Sequence, residues 1–114
     1  MSITDALLEN ARADTDLLQK NDARGDVFTR PRDVDFLLIA PEHEKAELVA
    51  SFINDNRYGS AKLQTDNAGY GVLVTIHMPI EQNILCSVSA LMVCISRLFN
   101  VKYDGWGCVL QNGT

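Results

Sequence analysis

Arg32-Asp33-Val34-Asp35-Phe36-Leu37-Leu38-Ile39-Ala40 is the stretch on which the fold turns. From Val34 onward it is dense in strand formers, and both of its faces are apolar: Val34, Phe36 and Leu38 on one, Leu37 and Ile39 on the other. Residues two apart share a face of a sheet, so a strand of this kind is expected to be covered on both sides. The chain around it must then supply a sheet and at least one covering layer.

Downstream, Pro41 suits a first helical position, and Glu42 and Glu44 suit the positive end of a helix dipole. Ala46, Val49, Phe52 and Ile53 give that helix an inward stripe ending near Asn56, before Gly59. Ser60 to Thr65 reads as a short strand with Ala61 and Leu63 on one face and Lys62 and Gln64 on the other. Asp66-Asn67-Ala68-Gly69 then makes a hairpin turn into a strand from Tyr70 to Met78. There Val72, Val74 and Ile76 alternate with Leu73 and Thr75, again apolar on both faces. Pro79 introduces a helix with Leu85, Val88, Leu91, Met92, Ile95, Leu98 and Phe99 on the 3.6-residue period. A last strand starts near Val101 and runs through Cys108, Val109 and Leu110. Upstream, Ser2 and Asp5 cap a helix whose stripe is Leu7, Leu8, Ala11, Thr15 and Leu18, running to about Lys20. Asn21, Asp22, Gly25 and Asp26 break it, and Pro31 keeps the connector extended.

The order α-βαββαβ predicts an α+β fold: a ferredoxin-like βαββαβ sandwich with an antiparallel four-stranded sheet and an extra N-terminal helix. Two helices cover one sheet face; the N-terminal helix, or a second copy in a homodimer, covers the other. Residues 1–26 are the N-terminal helix and connector and residues 27–114 the sandwich, a single domain overall. Lys62 and Lys102 fall where charge discourages stray strand pairing.

At 114 residues, with 46% hydrophobic and 22% charged residues, the composition is that of a globular domain. The net charge of −5 opposes binding to a phosphate backbone and favours a basic partner. Cys86, Cys94 and Cys108 form no close pair or zinc spacing and are expected to be reduced, buried small hydrophobes in an intracellular, cytoplasmic protein. Met1-Ser2-Ile3-Thr4-Asp5 lacks a basic-then-apolar progression, so no secretory signal is expected. The uncharged run from Gln82 to Ser96 is shorter than the roughly 20 residues of a membrane span and reads as a core helix.

Tyr103-Asp104-Gly105-Trp106-Gly107 sets the sole tryptophan between two glycines. This reads as a bulged edge strand whose ring plugs the core, as a recognition surface, or as both. Asp104 is expected to bond nearby backbone N–H groups in a turn. The run Leu98-Phe99-Asn100-Val101-Lys102 followed by this motif resembles the C-terminal signature of the family of regulators of ribonuclease activity B (RraB), inhibitors of ribonuclease E. Thr29-Arg30-Pro31-Arg32-Asp33-Val34 is similar to the segment leading into that family's first strand. The resemblance covers roughly residues 27 to 110. It implies a regulator that binds a ribonuclease E type endoribonuclease, with Tyr103, Asp104, Gly105, Trp106, Gly107, Pro31 and Arg32 as the family-motif or partner-binding residues. The family's best-known form ends in a long acidic tail, whereas this sequence ends Gln111-Asn112-Gly113-Thr114; if that tail helps inhibition, a weakened or redirected activity is the expectation.

The residues offer little for catalysis: no phosphate-binding loop, dinucleotide fingerprint, HExxH or GxSxG occurs. His43 reads as a solvated histidine, His77 as a hydrogen-bonded one at a strand end, and Glu42, Glu44 and Glu47 as a solvated helix face. Arg30 and Arg32, with Arg24 and Arg12 farther off, form the only basic concentration, read as solvated connector charge or as a contact for an acidic partner. Neither a cofactor, a metal nor an enzymatic activity is expected. Two other readings stand beside the regulator. A single-stranded RNA binder would need exposed aromatics on the sheet, for which Phe36 and Tyr70 are the candidates. A small-ligand or catalytic domain would gather His77, Tyr103 and Asp104 in a pocket.

Overall fold

The computed structural model describes residues 2–66 and 69–112. Three helices and four strands follow in the order α1 (Ile3–Ala23), β1 (Arg32–Ala40), α2 (His43–Asp55), β2 (Ser60–Asp66), β3 (Gly69–Met78), α3 (Gln82–Phe99) and β4 (Lys102–Cys108). The sheet is antiparallel throughout with strand order β2-β3-β1-β4. Each βαβ half is thus split by a strand of the other, and the two strands with double-faced apolar patterns, β1 and β3, are the central pair. The chain is α+β with an N-terminal helix.

Local chemistry sets the ends of the elements. Ser2 Oγ accepts from the Asp5 N–H at 3.1 Å, capping α1. The helix continues past Lys20 because the first residue that breaks it is Gly25, at φ 84°. The Gly25 N–H closes on the Asp22 carbonyl and the Asp26 N–H on that of Asn21, the two bonds of a Schellman ending. Pro41 lies outside α2: Glu42 is the N-cap and its carbonyl accepts from the Ala46 N–H, so the first turn begins two residues later than proline at N1 would place it. At the end of α3, Asn100 takes φ 56° and the Val101 N–H closes on Ser96. Asn67 and Ala68 of the expected β2–β3 turn lie outside the described residues; the flanking Asp66 and Gly69 are paired.

One sheet face carries the core. Val34, Phe36 and Leu38 of β1 and Val72 and Val74 of β3 are buried against Ala46, Val49 and Ile53 of α2 and Leu85, Met92 and Ile95 of α3. The other face runs through Asp33, Asp35, Leu37 and Ile39, none of them buried, and the same holds for Leu73, Thr75 and His77 of β3. This corrects the expectation of a double cover from within the chain. Helix α1 does not lie on that second face. It packs along α3, on the side the other helices already occupy. The physical reason lies in α3, which has two faces to bury: Leu85, Met92 and Ile95 meet the sheet, while Ser89, Val93 and Ser96 are also buried. Although its 18 residues have the length and mean hydropathy, 1.5, of a membrane span, α3 is held between α1 and the sheet.

The inward stripes differ in detail from the periodic reading. On α1, Leu8 is 57% exposed and the buried positions are Asp14 and Leu18. On α3, Leu98 is 67% exposed because at 100° per residue it falls to the side of the line of Leu85, Met92, Ile95 and Phe99 that meets the core. Cys94 is exposed and Cys86 and Cys108 are half-buried, all three unpaired, so they are not the buried hydrophobes expected.

Truncation distinguishes the two leucines that share a period on α3. Leu85→Ala removes a fully buried side chain and should cost about 2–5 kcal/mol in a urea titration. Leu98→Ala should stay within about 0.5 kcal/mol of wild type. Equal losses would mean that α3 is rotated from the position described.

Candidate functional site

β4 pairs with β1 in an interrupted register: Trp106 lies opposite Phe36 and Tyr103 opposite Leu38, so Asp104 and Gly105 together face the single residue Leu37. This is a bulge, and Gly105 takes φ 96° within it, a conformation glycine adopts without strain. The extra residue alters side-chain parity. In a regular strand, positions three apart point to opposite faces; across this bulge Tyr103 and Trp106 both point to the helix side.

There they close a buried polar network with the helices. Trp106 Nε1 donates to Asp14 Oδ1 at 3.0 Å. The Asn10 amide donates to Asp14 Oδ2 at 3.2 Å and to Ser89 Oγ at 2.9 Å, and Ser89 Oγ lies 2.9 Å from the Tyr103 hydroxyl. Asp14 is 3% exposed and Ser89 fully buried. The network ties α1, α3 and β4 together, and no buried side-chain N or O among the described residues lacks a partner. Burial raises the pKa of Asp14, partly offset by hydrogen bonds from Ser89 and Trp106. Burial likewise pushes the pKa of the Tyr103 hydroxyl above its ordinary value, so it stays neutral.

A scan against family models matches regulator of ribonuclease activity B, RraB, over residues 11–108 of the 114. The chain belongs to the RraB family. A search of curated proteins returns no match. The family match begins inside α1, just after Asn10, and ends at the last residue of β4, so it takes in Asp14, Ser89, Tyr103 and Trp106.

The remaining motif residues of this RraB family member fall in other surroundings. Asp104 and Gly107 are exposed. Asp104 faces Lys102 at 3.5 Å on the open side of β4, within a strand rather than in the backbone-bonded turn expected of it. Pro31 is exposed at the entrance to β1. Arg32 is the largest departure from the sequence reading, which took it for solvated connector charge or an acidic-partner contact. Its guanidinium bonds Asp26 Oδ1 and Oδ2 at 2.7 and 2.8 Å, with side chains 2% and 0% exposed. It also donates to the carbonyls of Val27 at 2.7 Å, Arg30 at 3.2 Å and Val109 at 3.3 Å. Asp26 in turn accepts from the Gln111 N–H and from Asn21. Arg32 is therefore a pin joining the connector, β1 and the segment after β4, and Arg30 assists by donating to the Asn112 carbonyl.

The geometry also bears on the two competing readings. Phe36 is completely buried, and Tyr70, opposite Ala40, turns to the helix side, edge-on to His43 at 5.6 Å. Neither aromatic therefore offers a stacking platform on the open face. His77 lies on the open face beside Asp33 at 3.0 Å, whereas the Tyr103 hydroxyl is on the helix side, so His77, Tyr103 and Asp104 do not share a pocket. Cavities among the described residues, such as one of about 460 Å³ bounded by Ile39, Ala40, Pro41, Asn100, Val101 and Lys102, gather no such set.

The periodic reading missed Asp14, Asn10 and Asp26. Asn10 and Asp14 are one helical turn apart and interrupt the stripe between Leu7 and Leu18, a signal that the indole N–H had a partner waiting.

Two substitutions test these readings. A raised carboxyl pKa means the protonated form is favoured by folding: the stability it contributes is present below pH 3.8 and is lost as pH rises through the folded value. Asp14→Asn keeps an acceptor for Trp106, and the Asn10 amide can turn over to accept from the new side chain. It should be at least as stable as wild type at pH 7 by thermal melting, with the difference closing toward pH 4; a large loss at pH 7 would show that the negative charge itself is required. Arg32→Ala leaves Asp26 buried without its countercharge and should cost about 3–5 kcal/mol in chemical denaturation. A loss under about 1 kcal/mol would place Arg32 among ordinary surface charges.

Proposed function

We propose that this RraB family member is a non-catalytic cytoplasmic protein that binds an endoribonuclease of the ribonuclease E type and lowers its cleavage of RNA. The observation that carries this reading is the family match across residues 11–108, which spans all four strands and most of α1. The geometry supports action by contact. The groups with chemical potential in the motif region, Asp14, Ser89 and Tyr103, bond to one another inside the structure, and Ser89 is closed to solvent. The exposed surfaces are a half-apolar sheet face and solvated helix faces. A net charge of −5 suits a protein partner with basic character better than the RNA substrate.

The test is a cleavage assay with a purified ribonuclease E type enzyme and labelled RNA, titrated with this protein. Dose-dependent slowing of cleavage, with the two proteins eluting together from a sizing column, is expected. Unchanged cleavage at molar excess together with separate elution would overturn the reading, and slowing that persists only when the protein binds the RNA directly would move it to the RNA-binding class.

A further inference from the structure

The open sheet face has a charge pattern that matches itself. Along β1 it runs from Asp33 and Asp35 through Leu37 to Ile39, beside which Lys102 stands on β4; Leu73 of β3 lies next to Leu37 at the centre. Among the described residues no helix covers it, and the apolar centre is only half-buried. Leu37, Leu73 and Ile39 are the residues whose presence made β1 and β3 read as doubly covered strands.

Gly107 adds a second observation. Gly105 needs its positive φ, and a Cβ on Gly71 would press on Gln64 at 3.0 Å, so the fold accounts for both. Gly107 has neither reason: its φ is ordinary for any residue, and a Cβ there would meet nothing within 4 Å. It is exposed, opposite Asp35, and leaves a bare stretch of backbone beside that carboxylate.

We propose that the open face is the interface of a homodimer in which Lys102 of each chain lies over Gly107 of the other and pairs with Asp35. The symmetry decides this arrangement. A two-fold axis lying in the interface along the strands, between β1 and β3, would set Asp33 over His77, Asp35 over Thr75 and Lys102 over Gln64 of the other chain, so that Lys102 meets no carboxylate. An axis lying across the strands, at the level of Leu37 and Leu73, reverses the partner's strand direction. It stacks the two apolar centres and brings each Asp35 end to the partner's Ile39 and Lys102 end, an isologous contact. Lys62, on β2 at the same level, meets its own copy at the margin, where its stem can turn the ammonium to water. The ion pair of Lys102 with Asp104 is solvated, with side chains 72% and 44% exposed, and leaves the ammonium free to reach across. Four strands about 4.8 Å apart and roughly 30 Å long present a footprint near the low end of specific interfaces, so association in the micromolar range is expected.

Sedimentation velocity from about 1 μM to about 500 μM should show the full chain passing from monomer to dimer. Lys102→Glu and Asp35→Lys each place like charges at both symmetry-related contacts and should raise the dissociation constant about tenfold or more. Mixed in equal amounts, the two variants should associate with each other, because a mixed pair restores an opposite-charge contact at both positions. Both sites lie outside the core, and circular dichroism checks that each variant is folded. A chain monomeric at every concentration overturns the proposal, including the outcome in which this face binds a nuclease instead. So does a dimer indifferent to either single reversal, or a mixture no stronger than its components. The inference stands apart from the ribonuclease reading: a dimer without effect on RNA cleavage would leave it intact.

Discussion

Two residues of β4, Asp104 and Gly105, share one partner on β1, and this extra residue governs the architecture around it. Because of it, Tyr103 and Trp106 fall on the same side of the sheet although an odd number of positions separates them. The indole then needs a buried acceptor, and a tyrosine hydroxyl needs a partner within reach. Asp14 and Ser89 supply them, and through those bonds α1 is drawn to the helix side, next to α3 and β4. The location of α1 decides in turn which sheet face stays open.

The network carries an electrostatic cost. A carboxylate 3% exposed is unfavourable unless donors surround it, and here Trp106, Asn10 and Ser89 provide them. The Arg32–Asp26 pair is built on the same terms, with each partner bonded further to backbone groups. Buried pairs of this type contribute little net energy over a well-packed apolar pair but are strongly destabilising when broken. What they confer is alignment: the connector after α1, the start of β1 and the segment after β4 are held in one place. Trp106 and Arg32, the most conspicuous residues of the two family-like segments, are thereby engaged within the chain, while Asp104 and Gly107 remain on the surface.

Much of the architecture was legible in the order of the residues. The strand and helix sequence, the Ser2 cap, the central position of the two apolar strands and the membership of the RraB family all follow from patterns that act over a few residues or from motif spacing. The errors have specific physical origins. Leu8 and Ala11 fit the period of α1, but a period cannot say that a buried indole prefers Asp14 and Asn10 on the inward stripe. Arg32 looked solvated because Asp26, six residues away, is brought beside it only by the turn in which the Arg30 N–H closes on the Val27 carbonyl.

From sequence alone, then, came the kinds of element, their succession and the family, since backbone propensity, capping and hydrophobic period are local properties. The three-dimensional arrangement alone decided that Trp106 faces inward, that Arg32 is a buried pin, that α1 sits beside α3, and that one face of the sheet is left uncovered. Each of those outcomes depends on a partner distant in the chain, such as Asp14 for Trp106 or Val109 for Arg32, and pairings of that range are set by packing and parity across the sheet rather than by neighbours in the sequence.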